Sequence, residues 1–79
     1  MNKPHLTEPQ KTLLKEAFQA ITDHSIDTNN PNNENHRKEL NRLINYNIRF
    51  GEPLERAVVD SYWSVMEAID VENQLAQEV

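Results

Sequence analysis

In this 79-residue chain the apolar residues recur at intervals of three and four, in three stretches divided by Pro31 and by the Gly51–Pro53 punctuation. Nowhere do they alternate with period two. Intervals of three and four put side chains on one face of a helix, whereas a half-buried strand needs alternation. The pattern therefore predicts an all-α chain with no strands, folded as a small three-helix bundle.

The first stretch opens at Thr7-Glu8-Pro9-Gln10. Thr7 can cap, Pro9 is tolerated in the first turn, and Gln10 stands where a capping box closes. Leu13, Leu14, Ala17, Phe18 and Ile21 follow on one face, predicting a helix over about 8–23. Residues 25–33, Ser-Ile-Asp-Thr-Asn-Asn-Pro-Asn-Asn, read as a linker, because Asn and Asp side chains compete for nearby backbone groups and Pro31 blocks a continuous helix. Ile26 is its one apolar residue and is expected to pin it to the core. A second helix is expected over 33–49, capped by Asn33 or Asn30, buried through Leu40, Leu43, Ile44 and Ile48, and ended by Gly51. Pro53 starts a third helix over 53–76, the longest, with Leu54, Val58, Tyr62, Val65 and Ile69 on its inner face.

Seventy-nine residues leave room for one domain and exclude the large catalytic architectures, which need roughly 200 residues or more. The absence of cysteine removes disulfides and thiolate-ligated metals and fits a reducing compartment. No stretch reaches the ~20 apolar residues of a membrane span. Met1-Asn2-Lys3-Pro4-His5 has no apolar run behind it and does not read as a signal peptide. The expectation is a soluble, cytoplasmic domain.

The formal charge of −5 is unevenly spread. Residues 34–50 carry Arg37, Lys38, Arg42 and Arg49 against Glu34 and Glu39, a net of +2. Residues 51–79 carry Arg56 against Glu52, Glu55, Asp60, Glu67, Asp70, Glu72 and Glu78, a net of −6. Such a balance disfavours attraction of the whole chain to phosphate and leaves an acidic third for water, the basic middle or a basic partner.

One spacing resembles the EF-hand calcium loop. Counting from Asp23, the residues Asp23, Ser25, Asp27, Asn29 and Glu34 fall at positions one, three, five, seven and twelve, between two helices. The match covers twelve residues. It departs at position six, where Thr28 replaces the usual Gly, at eight, where Asn30 is polar, and at nine, where Pro31 sits. The three histidines, His5, His24 and His36, are far apart and have no cysteine companions, so no metal or cofactor site is expected. His36 shares the face of Leu40 and Leu43, which suits a packed histidine. His24, Asp27 and Ser25 supply the residue types of a nucleophile–base–acid set. Adjacency in sequence does not make them converge, and a domain this small rarely encloses a catalytic pocket.

Two surfaces remain. On the second helix Lys38, Arg42, Asn45 and Arg49 follow i, i+4, i+7, i+11 and line one stripe, a composition that suits either a solvated face or a nucleic-acid contact. On the third, Val59, Tyr62, Trp63 and Met66 widen the apolar arc, and at 100° per residue Trp63 lies roughly 120–160° from its centre. Either this patch is an interface rimmed by Asp60, Glu67 and Asp70, or the first helix wraps over it and buries Trp63 through Phe18. Val71 and Leu75 fall on the polar side, so the tail either frays or meets another surface.

The expected function is that of a non-enzymatic protein-binding module, an inhibitor or adaptor that engages a larger protein, with basic, nucleic-acid-handling proteins among the partners an acidic surface suits. In size and acidity the chain is similar to small phage-encoded inhibitors, anti-CRISPR proteins among them, with no shared motif. The alternative is a dimeric regulator that contacts nucleic acid through the stripe of the second helix. A homodimer through the third helix is compatible with the first reading.

Overall fold

The computed structural model describes residues 6–78 and contains three helices: α1 (Glu8–Asp27), α2 (Asn33–Arg49) and α3 (Leu54–Glu78). Each packs against the other two, and no strand occurs among the described residues. The chain is an all-α bundle with a long C-terminal helix. His5 lies outside the described residues.

The helix ends follow from local chemistry. Thr7 caps α1: its Oγ1 accepts from the Gln10 amide at 3.3 Å, while Gln10 Oε1 accepts from the Thr7 amide at 3.0 Å. At the far end Asn29 takes a left-handed φ of 59°, the Asn29 amide donates to the Ile26 carbonyl, and the Asn30 amide donates to the Ser25 carbonyl. The same pattern closes α2. Gly51, at φ 95°, donates to the Ile48 carbonyl, and the Glu52 amide donates to Asn47. Both are Schellman stops, one built on asparagine and one on glycine. Asn32, rather than Asn33 or Asn30, stands at the α2 cap and makes no side-chain cap bond; the Asn30 Oδ1 accepts from the Asn32 amide instead.

The core is small: Ala17 and Ile21 from α1, Leu40 and Ile44 from α2, Ala57, Val58, Val65 and Ile69 from α3. Leu13, Leu14, Phe18, Leu43, Leu54, Tyr62 and Met66 pack partly buried around it. Two expectations fail here. Ile48 is exposed, because α2 buries the ridge His36–Leu40–Ile44 and the next position on it lies beyond Asn47, whose amide bonds Ser61 Oγ at 3.0 Å. Ile26 is exposed as well, since it belongs to α1 and points away from the Ala17–Ile21–Ser25 face.

The largest difference is the length of α1, which runs four residues past Asp23. Its buried face continues through Ser25, which is 0% exposed. A hydroxyl extends an apolar face only when it finds a partner, and Ser25 Oγ lies 2.7 Å from His36 Nδ1. On the other side of the ring, His36 Nε2 meets Glu72 Oε1 at 3.1 Å. Asn30, also buried, donates to Glu72 Oε1 at 3.2 Å and to Asn73 Oδ1 at 3.0 Å. This cluster joins the end of α1, the start of α2 and the last third of α3. The tail of α3 neither frays nor hangs free up to Asn73, because the shortened connection folds onto it.

Candidate interaction site

The longer α1 removes the loop that the calcium-like spacing requires. Asp23, Ser25 and Asp27 are helical, Ser25 is buried, and Asp23 Oδ1 accepts from the Gln19 amide at 2.8 Å. Asn29 serves the helix stop, and Glu34 lies exposed in the first turn of α2. No group of three or more His, Cys, Asp or Glu is arranged to hold a metal among the described residues.

Ser25, His24 and Asp27 do not converge either: His24 reaches across to Asp70, with Nε2 2.7 Å from Oδ1, while Ser25 turns inward. A different serine–histidine–carboxylate string exists, Ser25–His36–Glu72, which spans all three helices and has no local sequence signature. Glu72 can only accept, so Nε2 carries a proton and, in the neutral ring, Nδ1 accepts from the Ser25 hydroxyl; this tautomer is assigned from the bonding pattern. Burial opposes the charge on Glu72. Bonds from His36, Asn30 and Asn32, with the positive character of His36, outweigh it and hold the carboxyl below its ordinary value. With its hydroxyl sealed from solvent, Ser25 offers nothing to a substrate; the string is a structural tie.

The outer face of the α1–α3 pair is different in kind. Trp63 is 63% exposed and Val59 45% exposed. The Tyr62 and Trp63 rings meet edge to face with centroids 5.2 Å apart. Together with Val58 these side chains form one wall of an open groove of about 320 Å³. The opposite wall comes from α1, where Leu13 and Glu16 flank Ala17 and Ala20. The two alanines are what make it a groove: a larger side chain at either position would fill it. Phe18 does not cover Trp63; it lies on the other side of α1, lining a hollow with Lys15 and Arg37. Met66 sits partly buried against the core rather than in the groove.

Of the acidic residues expected at the rim, Asp60 and Glu67 are exposed with no ion pair among the described residues, and Glu16 joins them from α1. Asp70 is engaged by His24. Sequence reasoning missed the α1 wall because Ala17 and Ala20 carry no signal beyond helical spacing.

On α2 the stripe of Lys38, Arg42, Asn45 and Arg49 is exposed as spaced. Arg42 is paired with Glu39, which holds the Glu39 carboxyl below and the Arg42 guanidinium above their ordinary values. Alongside lie two aromatic residues the sequence reading passed over, Tyr46 and Phe50, 52% and 72% exposed, with ring centroids 4.7 Å apart. Their i, i+4 spacing in register with Arg42 and Arg49 was the available signal.

No helix among the described residues is long and apolar enough to cross a membrane. Compared with protein-family models, curated proteins and solved structures, the chain matches none of them.

Proposed function

We propose that the chain is a non-enzymatic protein-binding module, an inhibitor or adaptor, whose docking site is the groove under Trp63. The observation that carries this reading is the exposure of a tryptophan over an apolar groove that no other part of the described chain covers. Tryptophan and tyrosine dominate binding hot spots, and a large apolar side chain left in water stabilises a bound state more than the free fold. Glu16 in the groove wall and the exposed Asp60 and Glu67 of α3, against Arg56 alone, favour a partner with basic residues around an apolar anchor. The nucleic-acid alternative has less support: the α2 stripe holds three cations, one of them paired with Glu39, on a chain of net charge −5.

The test is a tagged pull-down from nuclease-treated lysate of the native host, with wild type and Trp63→Ala side by side and matched far-UV circular dichroism. Capture of a protein by wild type and its loss in the variant supports the reading. Equal capture by both removes the groove from the function.

A further inference from the structure

We infer that the α1–α3 groove of one copy takes the aromatic end of α2 from a second copy, so that the chain associates head to tail. The inference rests on reading the groove as a protein-docking site and names one occupant for it. Two facts select that occupant: the chain exposes a second apolar patch, Tyr46 and Phe50, and the two patches carry opposite charge.

Glu16 is the one charged side chain lining the groove, and on the Trp63 side of α3 the exposed Asp60 and Glu67 outnumber the exposed Arg56, so this face is net acidic. Arg49 and Lys38 stand beside the Tyr46–Phe50 pair on α2, with Arg42 between them tied to Glu39, so this face is net basic. Groove-to-groove pairing about a two-fold axis would set the acidic face against its own copy, and pairing two α2 faces would set cations against cations. Like charges brought together across an interface oppose association, and opposite ones favour it and fix its register. Only α2 against groove joins unlike charges.

Shape agrees. Phe50 caps α2 and is the most exposed large apolar side chain described, a projecting knob. The groove floor of Ala17 and Ala20 leaves about 320 Å³ open to receive it. The groove is lined by α1 and α3 alone and the knob ends α2, so the two are separate patches of one molecule. A contact between two such patches closes in a dimer when both knob–groove pairs form about one two-fold axis, and otherwise adds copies until a ring forms or a short filament grows. An interface of ordinary size, about 800 Å² per partner, would use roughly one-eighth of the 6048 Å² surface on each patch.

The test is sedimentation equilibrium of the full chain, freed of nucleic acid, from about 10 μM to about 1 mM, a range suited to weak association. Wild type is expected to rise above monomer mass as concentration rises, with a blue shift of Trp63, the only tryptophan. Phe50→Glu and Trp63→Glu, each at an exposed site, are expected to stay monomeric alone. Mixed, they form a one-to-one dimer and stop there, since only one intact knob and one intact groove remain. Should either glutamate variant lose helicity, Glu67→Arg and Arg49→Glu serve instead: each weakens association at least fivefold, and the mixture regains it.

Wild type that stays monomeric throughout overturns the inference. So does loss in Trp63→Glu but not Phe50→Glu (a two-fold groove pair), the reverse (an α2 pair), or assembly only when nucleic acid is left in. Monomeric wild type that still captures a larger protein through Trp63 overturns head-to-tail pairing alone. Self-association without such capture overturns the larger-partner reading and keeps this one.

Discussion

Ser25→Ala isolates the worth of the buried tie between the helices. The hydroxyl is fully buried and its partner, His36 Nδ1, belongs to a ring whose side chain is 6% exposed, so water cannot readily replace it. Leaving a buried acceptor unsatisfied costs about 1–3 kcal/mol. Alanine is the better helix former by about 0.5 kcal/mol, which offsets part of that loss. The net expectation is a destabilisation of about 0.5–2.5 kcal/mol against a total of ~4–12 for a chain of this size. Ser64→Ala is the internal control: the same atoms removed from the same kind of backbone, at an exposed position of α3, where only the gain in propensity remains. Urea unfolding followed at 222 nm is expected to separate the two variants by about 1–3 kcal/mol, and thermal melting by about 4–8 °C for each kcal/mol. Pairing Ser25→Ala with Glu72→Gln should show coupling of about 0.5 kcal/mol or more, because both act through one imidazole. Two serine variants equal within about 0.5 kcal/mol would refute the hydrogen-bond reasoning, since propensity alone would then explain both.

Three further outcomes are expected. The carboxyls of Glu72, Glu39 and Glu55, the last held down by its bond from Gln10, all lie below their ordinary value in the fold. Their contribution is therefore present above the unfolded value of about 4.3 and is lost as pH falls through the folded ones; urea midpoints from pH 7 to 3 should drop in the acid range, less steeply in Glu72→Gln. Gly51→Ala is expected to cost about 1–2 kcal/mol through its left-handed φ alone, since a Cβ there meets nothing within 4 Å, while Asn29→Gly is neutral or stabilising in the same urea assay. Ile69→Ala should cost about 2–5 kcal/mol and Trp63→Ala under about 1, because the first is wholly buried and the second mostly in water.

How far these features could be read in advance depended on the range of the interaction that made them. The Thr7–Gln10 box, the Gly51 stop and the helical spacing of Leu40, Ile44, Val58, Val65 and Ile69 are local, and the structure agrees with each. The end of α1 was misplaced because its last turn is held by Ser25 reaching His36, eleven residues on, and the connection by Asn30 reaching Glu72 and Asn73. A polar residue on an apolar face reads as the end of a helix until its distant partner is known. Trp63 stood between core and surface for the same reason: helical angle placed it at the edge, and only the position of Phe18 and the two small alanines of α1 decided which side it fell on.

The reach of that polar cluster also bears on the order in which the chain folds. Helices and their immediate neighbours form early because closing short loops costs little entropy. Glu72 and Asn73 meet their partners 36 to 43 residues back along the chain, and only after α3 has docked along most of its length. Contacts made after the barrier leave the folding rate nearly unchanged and appear in the unfolding rate. In stopped-flow measurements Glu72→Gln is expected to speed escape from the native state while the approach to it stays as fast as in wild type. The cluster is thus a latch: it sets how long the folded molecule lasts once formed, rather than how quickly it is reached.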